Sequence, residues 1–325
     1  MKKKYVLKSR TMKKLDSVLD LIGNTPAKRL DSIGKQFQVS LWAKLENLNP
    51  SGSIKDRIAL QMIEDAEKSG NLKQGYTIIE SSSGNTAIAL SFVGGLKGYK
   101  RIIFMPKIMA NEKVEMIKRY GAEIRLVDVG EEVKDGSVHG SYVEVPGRIM
   151  CKKMEESTAQ IWWARQFSNP SNYKAHRKLG GEILSQFGDK IDAFVASVGT
   201  GGTLFGVAQV LKVKIPRIRI IAVEPEGCPY VTLTNFKIIE GVTGGILKEI
   251  LDSRLVDSIL KVTDQDAIEM THRLIQEEGL FVGISSGANV FAGLQIAKEM
   301  GPGSNILTVL PDRGDRYITS EHYVT

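Results

Sequence analysis

The chain predicts an α/β fold of parallel sheets covered by helices on both faces, and three features carry that prediction. Apolar runs of strand length alternate with amphipathic stretches of helix length along most of the 325 residues. Glycine- and serine-rich turns close many of the runs. Several of these turns lead straight into a helix, the order in which open α/β sheets present their ligand-binding loops.

In chain order, residues 41–45 read as a strand. The turn-rich stretch Asn49-Pro50-Ser51-Gly52-Ser53-Ile54-Lys55-Asp56-Arg57 follows, then a helix over 58–68. Residues 76–80 read as a strand, 86–97 as a helix, 101–105 as a strand, 112–120 as a helix and 124–128 as a strand. The pattern weakens over 129–158, where Gly, Pro and charge are mixed, and an irregular insertion near a domain boundary is expected there. Strands at 193–197 and 218–223 flank a helix at 204–212. Helices at 266–278 and 288–299 precede a last strand at 306–310. No internal repeat and no low-complexity segment interrupts the series.

Composition excludes several classes. Hydrophobic residues make up 42% and charged residues 25%, an ordinary globular profile, and no apolar run is long enough to span a bilayer. Lys2, Lys3, Lys4, Lys8, Arg10, Lys13 and Lys14 precede the first acidic residue, Asp16, and account for the whole net charge of +7. The excess is a solvated tail rather than a binding face, so neither nucleic acid nor membrane is an expected partner. The tail has no apolar core of a secretory signal. Cys151 and Cys228 form no disulfide framework or metal-ligand spacing, and His139, His176, His272 and His322 are scattered. Reduced thiols, a cytoplasmic location and no metal are expected.

Four features carry chemistry. Lys55 stands at the mouth of a helix, whose positive end disfavours a protonated amine and so favours a nucleophilic one. Alone, it reads as a solvated lysine. Glu80-Ser81-Ser82-Ser83-Gly84-Asn85-Thr86-Ala87 joins a strand to a helix and gathers hydroxyls, an amide and free N–H groups, a carboxylate site. A serine-rich helix cap explains it equally well on its own. Val198-Gly199-Thr200-Gly201-Gly202-Thr203 lets backbone N–H groups approach an anion. It lacks the lysine of a P-loop, and Leu204 stands where a dinucleotide fingerprint needs its third glycine. A cup for a single phosphate fits it better. Val282-Gly283-Ile284-Ser285-Ser286-Gly287 adds a hydroxyl, or one more serine cap. An amine, a phosphate cup, a carboxylate cup and a lone hydroxyl are together the set that pyridoxal phosphate needs.

Over these residues the sequence resembles the fold-type-II pyridoxal-phosphate enzymes of the β-replacement group, cysteine synthase (O-acetylserine sulfhydrylase) and cystathionine β-synthase. The resemblance runs from Asp20-Leu21-Ile22-Gly23-Asn24-Thr25-Pro26 to Asp312-Arg313-Gly314-Asp315-Arg316-Tyr317. It implies a tryptophan synthase β-like fold of two three-layer α/β domains with the cofactor between them. Residues 1–48 and 159–325 would form the large domain and 49–158 a small mobile one.

By matched position, Lys55 would hold the cofactor covalently and Asn85 its phenolic oxygen. Gly199, Thr200, Gly201, Gly202 and Thr203 would hold the phosphate, and Ser285 would face the ring nitrogen. Ser82, Ser83, Gly84, Asn85, Thr86 and Gln166 would grip the substrate carboxylate, with Gly241 at the entrance. The implied reaction joins O-acetyl-L-serine and sulfide to L-cysteine and acetate through an aminoacrylate, in a homodimer.

The sequence departs from the family in Ser81-Ser82 and Ala87, where Pro-Thr and Gly are usual. It departs again in His176-Arg177-Lys178-Leu179-Gly180-Gly181-Glu182, in Gly241-Val242-Thr243-Gly244-Gly245-Ile246, and in the longer 129–158 stretch. That stretch and the Asp312-to-Tyr317 end also resemble the siderophore-type synthase that joins O-phosphoserine to glutamate. An O-phosphoserine donor with sulfide, homocysteine or glutamate as acceptor is therefore an alternative, with Arg177 or Lys178 reading a phosphate or an acidic acceptor, or serving as plain surface charges. A catalytically silent binding or regulatory protein is the alternative of another class.

Overall fold

The computed structural model describes residues 14–107, 111–128, 143–226 and 254–320. Two sheets carry the architecture. The six-stranded sheet has the order β1 (Ala27–Arg29), β2 (Ser40–Lys44), β10 (Asn305–Val309), β7 (Ala193–Ser197), β8 (Arg219–Pro225), β9 (Ser258–Val262). β1 runs antiparallel to β2, and the other pairs are parallel. The four-stranded sheet has the order β5 (Glu123–Val127), β4 (Lys100–Pro106), β3 (Thr77–Ser81), β6 (Ile161–Trp163), all parallel. The helices are α1 (Asp31–Gly34), α2 (Lys55–Ser69), α3 (Asn85–Leu96), α4 (Asn111–Arg119), α5 (Val145–Ser157), α6 (Ser171–Phe187), α7 (Gly202–Lys214), α8 (Asp264–Glu278) and α9 (Ile284–Met300).

The large sheet is buried on both faces. Phe194 and Ala196 of β7 and Ile220 and Ala222 of β8 pack with Leu204, Val207 and Leu211 of α7. Their alternating neighbours Ala193, Val195, Ile221 and Val223 pack with Met270 of α8 and Val290 and Leu294 of α9. Strands covered on both sides read as continuous apolar runs, which is how these two are written in the sequence. Each fully buried aliphatic side chain contributes roughly 1.5–3 kcal/mol.

The small sheet repeats the plan. Ile78 packs with Ile58, Met62 and Ile63 of α2 and with Leu90 and Val93 of α3. Ile79 turns the other way, to Phe104 and to Cys151 of α5. Among the described residues no helix is long and apolar enough to cross a membrane.

Two expectations are corrected. The stretch 129–158 is not irregular throughout: 145–157 form α5, which covers one face of the small sheet. Its Pro146 falls in the first helical turn, where a missing N–H costs nothing. Its Gly147 lies so close to β3 that a Cβ would overlap Ser81 Oγ. The proline and glycine that suggest irregular chain are a helix start and a helix–sheet contact. The boundary at 158 also leaves out β6, which pairs in register with β3 from Ile161–Thr77 to Trp163–Ile79 and so belongs to the small sheet.

Candidate active site

Lys55 opens α2, which has no side-chain cap at its N-terminus. The turn before it is clamped to the segment after β10. Ile54 N donates to Pro311 O at 2.8 Å, Arg316 Nη2 to Ser51 O at 2.7 Å, and Arg313 N to Gly52 O at 3.1 Å. Asp56, its carboxyl pushed up to about 6 by burial, accepts from Ser51 N at 2.7 Å and from Ser51 Oγ.

Arg57, two residues along the helix, is held from two sides. Its Nε donates to Glu46 at 2.6 Å and its Nη1 to Glu182 at 2.7 Å, and Glu182 also takes Lys44 at 2.8 Å. Burial alone would raise Glu182, but these cations hold it at about 2. Removing one member of such a buried set leaves an uncompensated charge. The network fixes the direction in which α2 starts and hence where Lys55 stands. Burial lowers the pKa of Lys55, and the nearby Asp312 carboxylate opposes that shift. The geometry thus favours a neutral amine by desolvation, a second cause beyond the helix dipole.

A cavity of about 180 Å³ joins Lys55, Asn85, Gly199, Thr200, Gly201, Thr203 and Ser285 with Asp312 and Tyr317. Residues expected from four separate loops therefore meet at one place, at the carboxyl ends of β3, β7 and β10. Gly201 sits at φ +84°, a left-handed conformation suited to glycine. Gly202 starts α7 behind the lining, where a Cβ would overlap Asn172 Oδ1. The N-termini of α2, α3, α7 and α9 around this cavity carry no side-chain caps. By contrast α8, elsewhere, is capped by Thr263 Oγ1. Uncapped helix starts leave N–H groups for an anion.

The residues fit a group with an aldehyde, a phosphate and an aromatic ring nitrogen. Lys55 offers the amine, the Gly199–Thr203 turn the phosphate seat and Ser285 a hydroxyl. Buried Asp312 Oδ1 has no partner and awaits a donor.

The loop after β3, expected to grip a carboxylate, is also assembled, with partners already engaged. Thr86 Oγ1 donates to Gln166 Oε1 at 2.6 Å, and Gln166 N donates to Glu80 at 2.9 Å. Gly84 N donates to Ser82 Oγ at 3.3 Å. Ser83 N and Oγ donate to Glu144 Oε1 at 2.7 and 2.8 Å. Asn85 lines the cavity, with its Nδ2 donating to Asp312 at 2.6 Å and its Oδ1 accepting from Arg316. Gly241 and its neighbours through Ile246 lie outside the described residues. Arg177 and Lys178 are exposed, and Arg177 bonds Gln209 at 2.6 Å, so the plain surface reading holds for both.

Four participants carry no role in the sequence reading. Asp312 binds Asn85 and the Tyr317 hydroxyl at 2.5 Å. Burial, then Asp312, raises the Tyr317 pKa well above the ordinary phenol. His176 Nε2 meets Thr203 Oγ1 at 3.3 Å, and burial with the charges of Lys55 and Arg57 keeps it neutral. Asn172 Nδ2 donates to Gln166 O at 2.7 Å and Thr200 Oγ1 at 3.1 Å, tying the two cups together. Asn172 follows Gln166-Phe167-Ser168-Asn169-Pro170 by two residues, and His176 and Asp312 lie in stretches already singled out. Their polar identity inside apolar helix and strand-end contexts is the available signal.

The chain was compared with known proteins. It is 42% identical to a cysteine synthase of Staphylococcus aureus (strain N315) over 315 residues, 96% of this chain and 98% of the relative. The structure of a cysteine synthase from Entamoeba histolytica superposes with a TM-score of 0.85 at 33% identity, covering 98% of this chain and 94% of that one. An O-ureido-L-serine synthase superposes with a TM-score of 0.84 at 35% identity, covering 96% of both chains. The match to the pyridoxal-phosphate dependent enzyme family spans residues 18–312, and the chain belongs to that family.

Proposed function

We propose that the chain catalyses β-replacement on an activated L-serine, joining O-acetyl-L-serine and sulfide into L-cysteine and acetate. The observation that carries this reading is the cavity in which Lys55, with a depressed pKa, faces the Gly199–Thr203 turn and Ser285. Asn85 lines the same cavity, and its neighbour Thr86 bonds Gln166. The similarity to cysteine synthases supports the choice of substrates.

Lys55 Nζ would carry pyridoxal phosphate, with Gly199, Thr200, Gly201, Gly202 and Thr203 on the phosphate, Ser285 toward the ring nitrogen and Asn85 toward the phenolic oxygen. When bound, the cofactor supplies an electron sink for the substrate Cα. Ser82, Ser83, Thr86 and Gln166 would bind the substrate carboxylate and orient the Cα–H toward Lys55. Lys55 would take that proton as a base and later return it to the same carbon. Between those transfers the Cβ–O bond breaks, acetate leaves, and sulfide forms the Cβ–S bond. Closure of the small-sheet unit over the bound carboxylate would exclude water. A homodimer and a cytoplasmic location belong to this reading.

One observation favours O-phosphoserine as the donor. Lys113 Nζ lies 4.4 Å from the centre of the ring of Tyr317, a residue of the cavity wall, and a cation there would favour a donor with a charged phosphate ester over one with a neutral acetyl ester. A panel of O-acetylserine and O-phosphoserine with sulfide, homocysteine and glutamate, ranked by kcat/KM, separates the two. Highest turnover for O-acetylserine with sulfide supports the first reading. No cysteine from a yellow, cofactor-loaded protein rejects it.

A further inference from the structure

Glu144 stands at the start of α5, on the side of the small sheet away from α3, and its carboxylate reaches the loop after β3. Its Oε1 accepts from both the N–H and the hydroxyl of Ser83, at 2.7 and 2.8 Å. Those two donors belong to the set expected to bind the substrate carboxylate. The main chain is fastened there as well, because Ser81 Oγ donates to Glu144 O at 2.9 Å. The second oxygen, Oε2, lies 3.5 Å from Arg148 Nη2, and the Arg148 guanidinium is stacked 3.6 Å from the centre of the Phe167 ring, next to Gln166.

We propose that Glu144 is an affinity-setting residue that occupies the carboxylate cup in place of the substrate and must leave Ser83 before the amino acid can bind. This rests on the carboxylate-binding reading of residues 82–86 given above. Two carboxylates cannot share one pair of donors without repulsion, so substrate binding includes the displacement of Glu144. Arg148 makes the displaced state accessible, because the carboxylate keeps a cation when it lets go of Ser83. Glu144 takes no part in the bond changes; it positions the loop in its substrate-free form and raises the concentration of amino acid needed to fill the cup.

The test titrates the holoenzyme with L-alanine, which has the carboxylate and amine but no leaving group, by calorimetry. Glu144→Gln keeps the size of the side chain and removes its charge, and Glu144→Ala removes the contact. The expected result is a Kd for L-alanine about tenfold lower in both variants, the order of one charge-assisted hydrogen bond lost from the competing state. With O-acetylserine the same change appears as a fall in KM larger than any change in kcat. In a Ser83→Ala background the Glu144→Gln effect shrinks toward none. An unchanged or weaker affinity in the variants, or no L-alanine binding by any of the proteins, overturns the proposal. If L-alanine binds but no cysteine forms, the assignment of the reaction fails while the Kd ratio still decides the role of Glu144.

Discussion

The loop after β7 and the loop after β3 both lead from a parallel strand into a helix without a side-chain cap. They are finished differently. The first is built of glycines and threonines, and Gly199, Thr200, Gly201 and Thr203 line the cavity. The second is built of hydroxyls and an amide whose partners come from the protein itself. Ser83 bonds Glu144, Thr86 bonds Gln166, and Asn85 bonds Asp312 and Arg316. A resident phosphate suits a rigid seat of backbone N–H groups. A carboxylate that arrives and leaves with every turnover suits donors that have protein partners while the cup is free, because an unsatisfied buried donor costs roughly 1–3 kcal/mol. Asn172 bonds Gln166 O and Thr200 Oγ1 and so stands between the two loops.

The largest effect lies between the loops. Lys55→Ala is expected to lower turnover by at least about 10³-fold while both cups stay folded, since it removes the proposed nucleophile and base together. Loss of the absorbance of the lysine-bound cofactor, with an unchanged circular dichroism spectrum, checks it. Unchanged turnover would contradict the role given to Lys55.

Gly202→Ala addresses the first cup most directly. The new Cβ meets Asn172 Oδ1, in a side chain held by two hydrogen bonds, so Asn172 or the turn must shift. Cofactor affinity should fall by about one to two orders of magnitude. At saturating cofactor the KM for the amino acid should move much less. Equal changes in both would mean that the two cups are one unit. Thr86→Val is the converse: it removes the hydroxyl bonded to Gln166, and KM should rise by about tenfold with cofactor affinity unchanged.

The alternation of strand and helix around both cups was legible because strands buried on both faces are written as unbroken apolar runs. The glycine turn was legible for a similar reason, since its function is carried by the backbone and glycine is the local record of that. Helix α5 was hidden by Pro146 and Gly147, whose helical roles depend on a strand far away in sequence. Helix α6 carries Gly180-Gly181 in its interior, and Val210 of α7 fills the space beside Gly180. Glu144, Asn172, His176 and Asp312 escaped because one polar residue has no period. Only the pairing of remote segments puts Glu144 on Ser83 or Asp312 on Asn85.

The smallest effect sharpens the contrast most finely. Glu80, near the end of β3, accepts from Ser81 N at 2.8 Å, Trp163 Nε1 at 3.0 Å and Gln166 N at 2.9 Å. Burial pushes its carboxyl from the ordinary 4.5 up to about 7, against the pull of these donors and of Arg148. Folding therefore takes up a proton between pH 4.5 and about 7. The stability so contributed is greatest at the acid end of that window and is lost as the pH rises through about 7. Glu80→Gln removes this slope, a difference on the order of 2 kcal/mol between the two ends of the window. Urea midpoints of the wild type and the variant at pH 5 and pH 8 (about two units below and one above the raised value) read it directly. Parallel slopes in the two proteins would remove Glu80 from the account. Since Glu80 accepts from Gln166 N, the variant should alter KM for the amino acid more than cofactor affinity.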